Sequence, residues 1–242
     1  MGYFDDAKSL IEHAKSHLSK IESAYQSSLS EKAIDPELLV EIKNFMENLR
    51  SALDFSAHGL FAKYGSSTKT DPKIYFPYAL LHQSQVDFRR ANRIETCIPG
   101  VSSARPDITA KLESFQHFAD PKNAWLPAFM ELNNENKHQQ LTPQIRKEKK
   151  ELRISSRGAQ MRIGPGASIS IGKGASIRIG DMDIPGGQSF DSEKPPKTRG
   201  PGKKEIITWV SFRFSTNDEP VLPFLKKTLT GIEAIVQDLE QL

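Results

Sequence analysis

Two short clusters combine residue types suited to acid–base and anion chemistry. Asn48, Arg50 and Asp54 lie in the heptapeptide Asn48-Leu-Arg-Ser-Ala-Leu-Asp54, with guanidinium and carboxylate four positions apart. On a helix that spacing sets Arg50 and Asp54 side by side, at the border of the stripe made by Leu49 and Leu53. Lys137 and His138 close the second cluster, Leu132 to His138, at the C-terminal end of a predicted helix, where cations also complement the helix dipole. Brought together from adjacent helices, the four residues would make one site. Arg50 would neutralise a phosphate or carboxylate, Asp54 would orient it, and His138, with an ordinary pKa of about 6.5, would act as acid or base. The same four can instead close an inter-helix polar clasp with no chemistry at all.

A third candidate is spread along the chain. From Leu141 to Glu205 there are 14 Lys/Arg and 7 Asp/Glu, a net of +7. The whole chain carries 33 Lys/Arg and 30 Asp/Glu, so the remainder holds 19 against 23, a net of −4. Lys147, Lys149, Lys150 and Arg153 lead this basic segment, followed by Lys194, Lys197, Arg199, Lys203 and Lys204. Such a series can track the phosphates of RNA or another nucleic acid. Only Phe190 is aromatic between Ser156 and Lys204, which argues against bases stacked on side chains. The competing explanation is a solubilising linker.

Other chemistries find no support. There is no P-loop, dinucleotide fingerprint, HExxH or nucleophile elbow, so no cofactor is expected. His13 and His17 share a predicted helix face without a third ligand at matching spacing, and no metal is expected. The single cysteine, Cys97, excludes an internal disulfide and reads as a small buried hydrophobe. No apolar run approaches the roughly 20 residues that span a bilayer, and MGYFDDAKSL has no signal-peptide core; the expectation is a cytoplasmic protein without a membrane partner.

Three helices are legible around these candidates. Phe4, Ala7, Leu10, Ile11, Ala14, Leu18, Ile21 and Tyr25 recur at helical spacing. Asp35-Pro36-Glu37 is a strong helix start, and the stripe Leu38, Ile42, Phe45, Leu49, Leu53, Leu60 runs from it to Gly65. Leu222, Leu225, Leu229, Ile232, Val236 and Leu239 predict a final helix that packs back on the first two. Residues 68–105 read as an irregular crossover with one short helix near 80–94, followed by helices from Pro106 to Phe118 and from Pro121 to His138. The charged run RKEKKELR after Pro143 leads away from these helices.

The one internal repeat has a period of eight: Gly158-Ala-Gln-Met-Arg-Ile-Gly-Pro, Gly166-Ala-Ser-Ile-Ser-Ile-Gly-Lys and Gly174-Ala-Ser-Ile-Arg-Ile-Gly-Asp. Apolar residues two apart in each unit predict short strands with one buried face, and the glycines predict turns. A meander of antiparallel strands is favoured over a parallel solenoid, because eight residues are few for a coil. Glu205 to Phe214 predicts a longer strand, and 191–204 a flexible loop. The fold class is therefore α+β: an antiparallel bundle, 1–140, completed by a C-terminal helix, 216–242, with a basic antiparallel β insert, 141–215.

Asn48–Asp54, then Phe76-Pro77, Trp125-Leu-Pro127 and Asn136-Lys-His138, in that order, resemble a group of uncharacterised bacterial proteins related to the HEPN-like helical superfamily. The resemblance covers about Tyr3 to Gln140 and none of the repeat. It implies a bundle of four or five helices, often a homodimer, in a superfamily that includes RNA-cleaving toxins and phage-defence proteins. Catalytic members carry Arg, four to six intervening residues and His on one helix; here seven residues separate Arg50 from His58. The expected function is therefore nucleic-acid-linked defence or stress response, by RNA binding or cleavage. The alternative is a non-enzymatic interaction module whose β-repeat edge recruits a protein partner.

Overall fold

The computed structural model describes residues 2–28, 36–138 and 144–242. The chain divides into two compact units, Met1–Ile145 with Arg213–Leu242, and Arg146–Phe212.

The first unit is helical: α1 (Tyr3–Ser28), α2 (Pro36–Tyr64), α3 (Gln85–Arg90), α4 (Arg93–Cys97), α5 (Val101–Ala104), α6 (Pro106–Ser114), α7 (Trp125–His138) and α8 (Val221–Glu240). The stripe read on α1 is the buried one, Phe4 through Tyr25, and it packs on the equally buried stripe of α2. Gly59 of α2 sits against the Phe4 ring, so the two helices run antiparallel. Asp35, the expected cap of α2, lies outside the described residues. Helix α8 also runs antiparallel to α1. Lys8 meets Glu240 at 2.7 Å, Lys15 meets Glu233 at 2.7 Å and Glu22 meets Lys226 at 2.5 Å. Each step of seven along α1 is matched by a step of seven back along α8. Exposed pairs of this kind add little energy, and their use is to fix the register. Helix α7 crosses α2, where the buried Asn133 side chain donates to the Met46 carbonyl at 2.8 Å.

The single short helix expected near 80–94 is two pieces. A Ser84–Asp87 capping box starts α3, and a left-handed Asn92, φ 47°, separates it from α4. Helix α6 stops at Ser114 instead of Phe118, which frees Gln116 to turn inward. The helix expected from Pro121 begins as a 3-10 turn, Pro121–Ala124, capped by Asp120, and becomes α-helical only at Trp125.

The second unit holds most of β1 (Gln144–Ser156) and β7 (Lys203–Phe214), and all of β2 (Ala159–Ile163), β3 (Ser168–Ile171), β4 (Ser176–Ile179), β5 (Met182–Pro185) and β6 (Gln188–Asp191). The charged run 146–153 is strand, not a helix exit. One sheet has the order β2-β1-β7; among the described residues β3 pairs only with β6, and β4 only with β5. The β1–β2, β3–β6 and β4–β5 pairings are antiparallel, as expected, but a meander is not what forms: consecutive repeats do not pair with each other. The first and second repeats instead each turn a corner into the next through Gly-X-Gly-Ala. Ala167 donates to the Gly164 carbonyl and Ala175 to that of Gly172, both at 3.2 Å. The third residue of each turn is at positive φ, Gly166 at 75° and Gly174 at 84°, which glycine alone adopts without strain. The second apolar residue of each repeat, Ile163, Ile171 and Ile179, is buried with Leu152, Ile154, Met182, Ile184 and Phe190. Gly186 lies where the β3–β6 and β4–β5 ladders bend apart, and a Cβ there would stand 2.1 Å from the Gly172 carbonyl.

The segment 191–204, expected to be a flexible loop, is fastened to these strands. Asp191 accepts the Glu193 and Lys194 amides at 2.7 Å, and Arg199 exchanges both backbone bonds with Asp183 at 2.8 Å. The Ser156 hydroxyl donates to the Pro201 carbonyl at 2.7 Å.

Candidate nucleic-acid interface

The Arg50–Asp54 cluster is tied into the helical unit. Arg50 Nε donates to Asp54 Oδ2 at 3.2 Å, and both side chains are largely covered, at 20% and 23% exposure. Asp54 Oδ1 accepts the Phe76 amide at 2.8 Å. The Arg50 guanidinium also contacts the Met130 sulfur on α7 and lies 5.4 Å from the centre of the Tyr78 ring. Two further bonds secure the same crossover: Gln116, fully buried, accepts the Ala79 amide at 2.9 Å and donates to the Pro77 carbonyl at 3.2 Å. The crossover pairs with no strand among the described residues, so these side chains satisfy part of its backbone, and the Tyr75 amide donates to the Cys97 carbonyl at 3.3 Å. Asn48 sits partly buried on α2, half a turn before Arg50. The backbone of α7 carries position 138 two turns past Met130, about 12 Å along the axis. The side chains of Lys137 and His138 lie outside the described residues.

Cys97 is partly buried close by, and burial pushes its thiol above the ordinary value; the charges of Arg93, Asp54 and Arg50 act on it more weakly. His13 and His17 have ring centres 4.4 Å apart, with Glu41 Oε2 at 3.2 Å from His17 Nδ1. Among the described residues no group of three or more His, Cys, Asp or Glu is placed to hold a metal ion. Nor is any described helix long and apolar enough to cross a membrane.

The basic residues are sorted by strand parity. Leu152 and Ile154 turn into the β core, so Lys147, Lys149, Glu151 and Arg153 occupy the outer face of β1. Lys150 belongs to the other face, where its Nζ meets Glu193 at 2.8 Å. Directly across from Arg153 on β2 stands Arg162, which is exposed. Two guanidinium groups opposed across a ladder repel one another. Glu151 lies 3.4 Å from Arg153 and gives partial relief. Lys203 and Glu205 of β7 pair at 2.5 Å; Lys203 holds the Glu205 carboxyl below the usual carboxylate range, and the more distant Arg153 adds to that. Between them, Lys204 turns to the side of the 191–204 segment, where its Nζ donates to the Pro196 carbonyl at 3.1 Å, so strand alternation sets Lys203 and Glu205 on the opposite, outer side. The face thus carries five cations, Lys147, Lys149, Arg153, Arg162 and Lys203, with Glu151 and Glu205 among them.

Of the binding residues read from sequence, Lys147, Lys149 and Arg153 are brought together, whereas Lys150 is not. Arg162 escaped that reading. The signal was present: the hairpin turns on Arg157 and Gly158, both at positive φ, and counting outward from that turn sets 162 opposite 153. No protein-family model, curated protein or solved structure matches the chain.

Proposed function

We propose that the protein binds RNA through the outer face of the β2-β1-β7 sheet, by contacts to phosphates without sequence preference. The observation that supports this is the like-charged pair Arg153–Arg162. Such a pair costs stability in the free protein, and a bound phosphate converts the repulsion into two charge-assisted hydrogen bonds. The net charge of +7 on residues 146–212 supplies the attraction that brings a polyanion to it. The resemblance of the helical unit to HEPN-like proteins ties this binding to nucleic-acid-linked defence or stress response. The reading is one of binding, not cleavage, because Arg50 and Asp54 are engaged in holding the crossover.

Five phosphate contacts to a single strand give a slope of about −3.5 in log K against log salt, so affinity falls about 100-fold between 50 and 200 mM salt. Fluorescence anisotropy with labelled RNA of two unrelated sequences measures this. Replacing Arg153 and Arg162 together with Gln reduces the slope by about 1.4 and weakens both RNAs equally. Absence of binding at 50 mM salt overturns the proposal.

A further inference from the structure

Among the described residues, the β2-β1-β7 sheet has two stretches of edge with which no strand pairs, and they differ in a telling way. Strand β2 pairs with β1 only from Leu152 onward, so the first half of β1 is open on that side. That half carries Lys147, Glu148, Lys149, Lys150 and Glu151, the kind of charged run that keeps sheet edges apart. Strand β7 ends the sheet, and among the described residues no strand lies beyond it. From Ile206 to Phe212 it has no charged residue and no proline, while Ile206, Ile207, Thr208 and Val210 are β-branched. Ile206 is 47% exposed, and Thr208 is exposed as well. A strand of this composition without protective charges pairs with something.

We infer that β7 pairs antiparallel with β7 of a second copy of this chain, giving a two-fold dimer with one continuous six-stranded sheet. Charge selects this occupant and this direction. The only charged residues of 203–212 are the first three, Lys203, Lys204 and Glu205. Antiparallel pairing carries them to opposite ends of the ladder, against the uncharged end of the other copy, whereas parallel pairing would oppose lysine to lysine. Ten residues make a seam about 33 Å long. Because the two-fold is perpendicular to the sheet, each edge is used once and assembly stops at two. The same operation turns both outer faces to one side, so that ten cations share a single surface. This last consequence rests on the RNA-binding proposal, but the dimer does not.

Light scattering after size exclusion, on the full chain without RNA, tests the pairing. The expected mass is twice the 27.1 kDa of one chain, and replacing both Ile206 and Thr208 with Lys halves it while the far-ultraviolet spectrum is retained. A monomeric wild type at 100 µM overturns the inference, as does a folded double variant that remains a dimer. If the double variant fails to fold, Ile206→Thr keeps the strand propensity and weakens the dimer at least tenfold by sedimentation; an unchanged dissociation constant overturns the inference. RNA anisotropy on the same samples separates the two proposals. Masses that follow expectation without RNA binding sink only the function, and RNA binding by a monomeric wild type sinks only the dimer.

Discussion

Asp54 and Phe76, 22 positions apart, are joined by a 2.8 Å hydrogen bond from the Phe76 amide to the Asp54 carboxylate. This bond, with Arg50 on the other carboxylate oxygen, makes the Arg–Asp pair a fastening between α2 and the crossover. Its loss leaves a covered amide without a partner. Asp54→Ala is expected to cost about 1–3 kcal/mol, and Asp54→Asn, which keeps an acceptor at Oδ1, clearly less. Urea midpoints of the three proteins give the order. Equal losses for Ala and Asn would assign the effect to the charge on Arg50 instead of the Phe76 bond.

Gly231 lies inside α8, where alanine normally gains about 1 kcal/mol. Here the sign reverses. A Cβ at 231 would come within 2.3 Å of the Trp125 indole, and that ring is 8% exposed, with little room to withdraw. Gly231→Ala is expected to destabilise by about 1–3 kcal/mol through overpacking. A raised melting temperature would show that α8 and Trp125 are not in contact.

Arg89 grips Glu113 through both carboxylate oxygens, and this hydrogen-bonded pairing holds the Glu113 carboxyl below the usual carboxylate range, against the opposing pull of burial. In the unfolded chain Glu113 titrates near its ordinary pKa of about 4.3. Its contribution is therefore complete above that value and fades as the pH falls through the lower folded-state pKa. Between pH 5 and 3 the urea midpoint of the wild type should drop more steeply than that of Glu113→Gln. Parallel curves would count against the linkage.

Helices α1, α2 and α8 were legible because each buries one stripe at helical spacing, from Phe4 to Tyr25, Leu38 to Leu60 and Leu225 to Leu239, with Leu222 only half-buried. The crossover was not, because its order depends on Asp54 and Gln116, polar residues whose partners are remote in sequence. Strand β1 was missed for another reason. Its apolar alternation starts only at Leu152, and the charges before it imitate a solvated helix end. The repeat announced short strands and corners, but period alone does not say whether each strand pairs with the next copy or with a return strand. For the candidate face, the residue types were evident while their sides were not. Lys150 parts from Lys149 and Lys147 through strand parity, and Arg162 joins Arg153 through a hairpin centre that composition does not reveal.

The pairing of the three repeats sets a limit on how this gene can grow. An eight-residue unit invites in-frame duplication, and in a solenoid a new copy would simply stack on the last. Here β2, β3 and β4 are complemented by β1, β6 and β5, none of which belongs to the repeat. A fourth copy would arrive with its corner and its inward isoleucine but with no return strand to receive it. The array is thus closed at three by its complement, and its length can change in evolution only if both arms of the long bent hairpin change together.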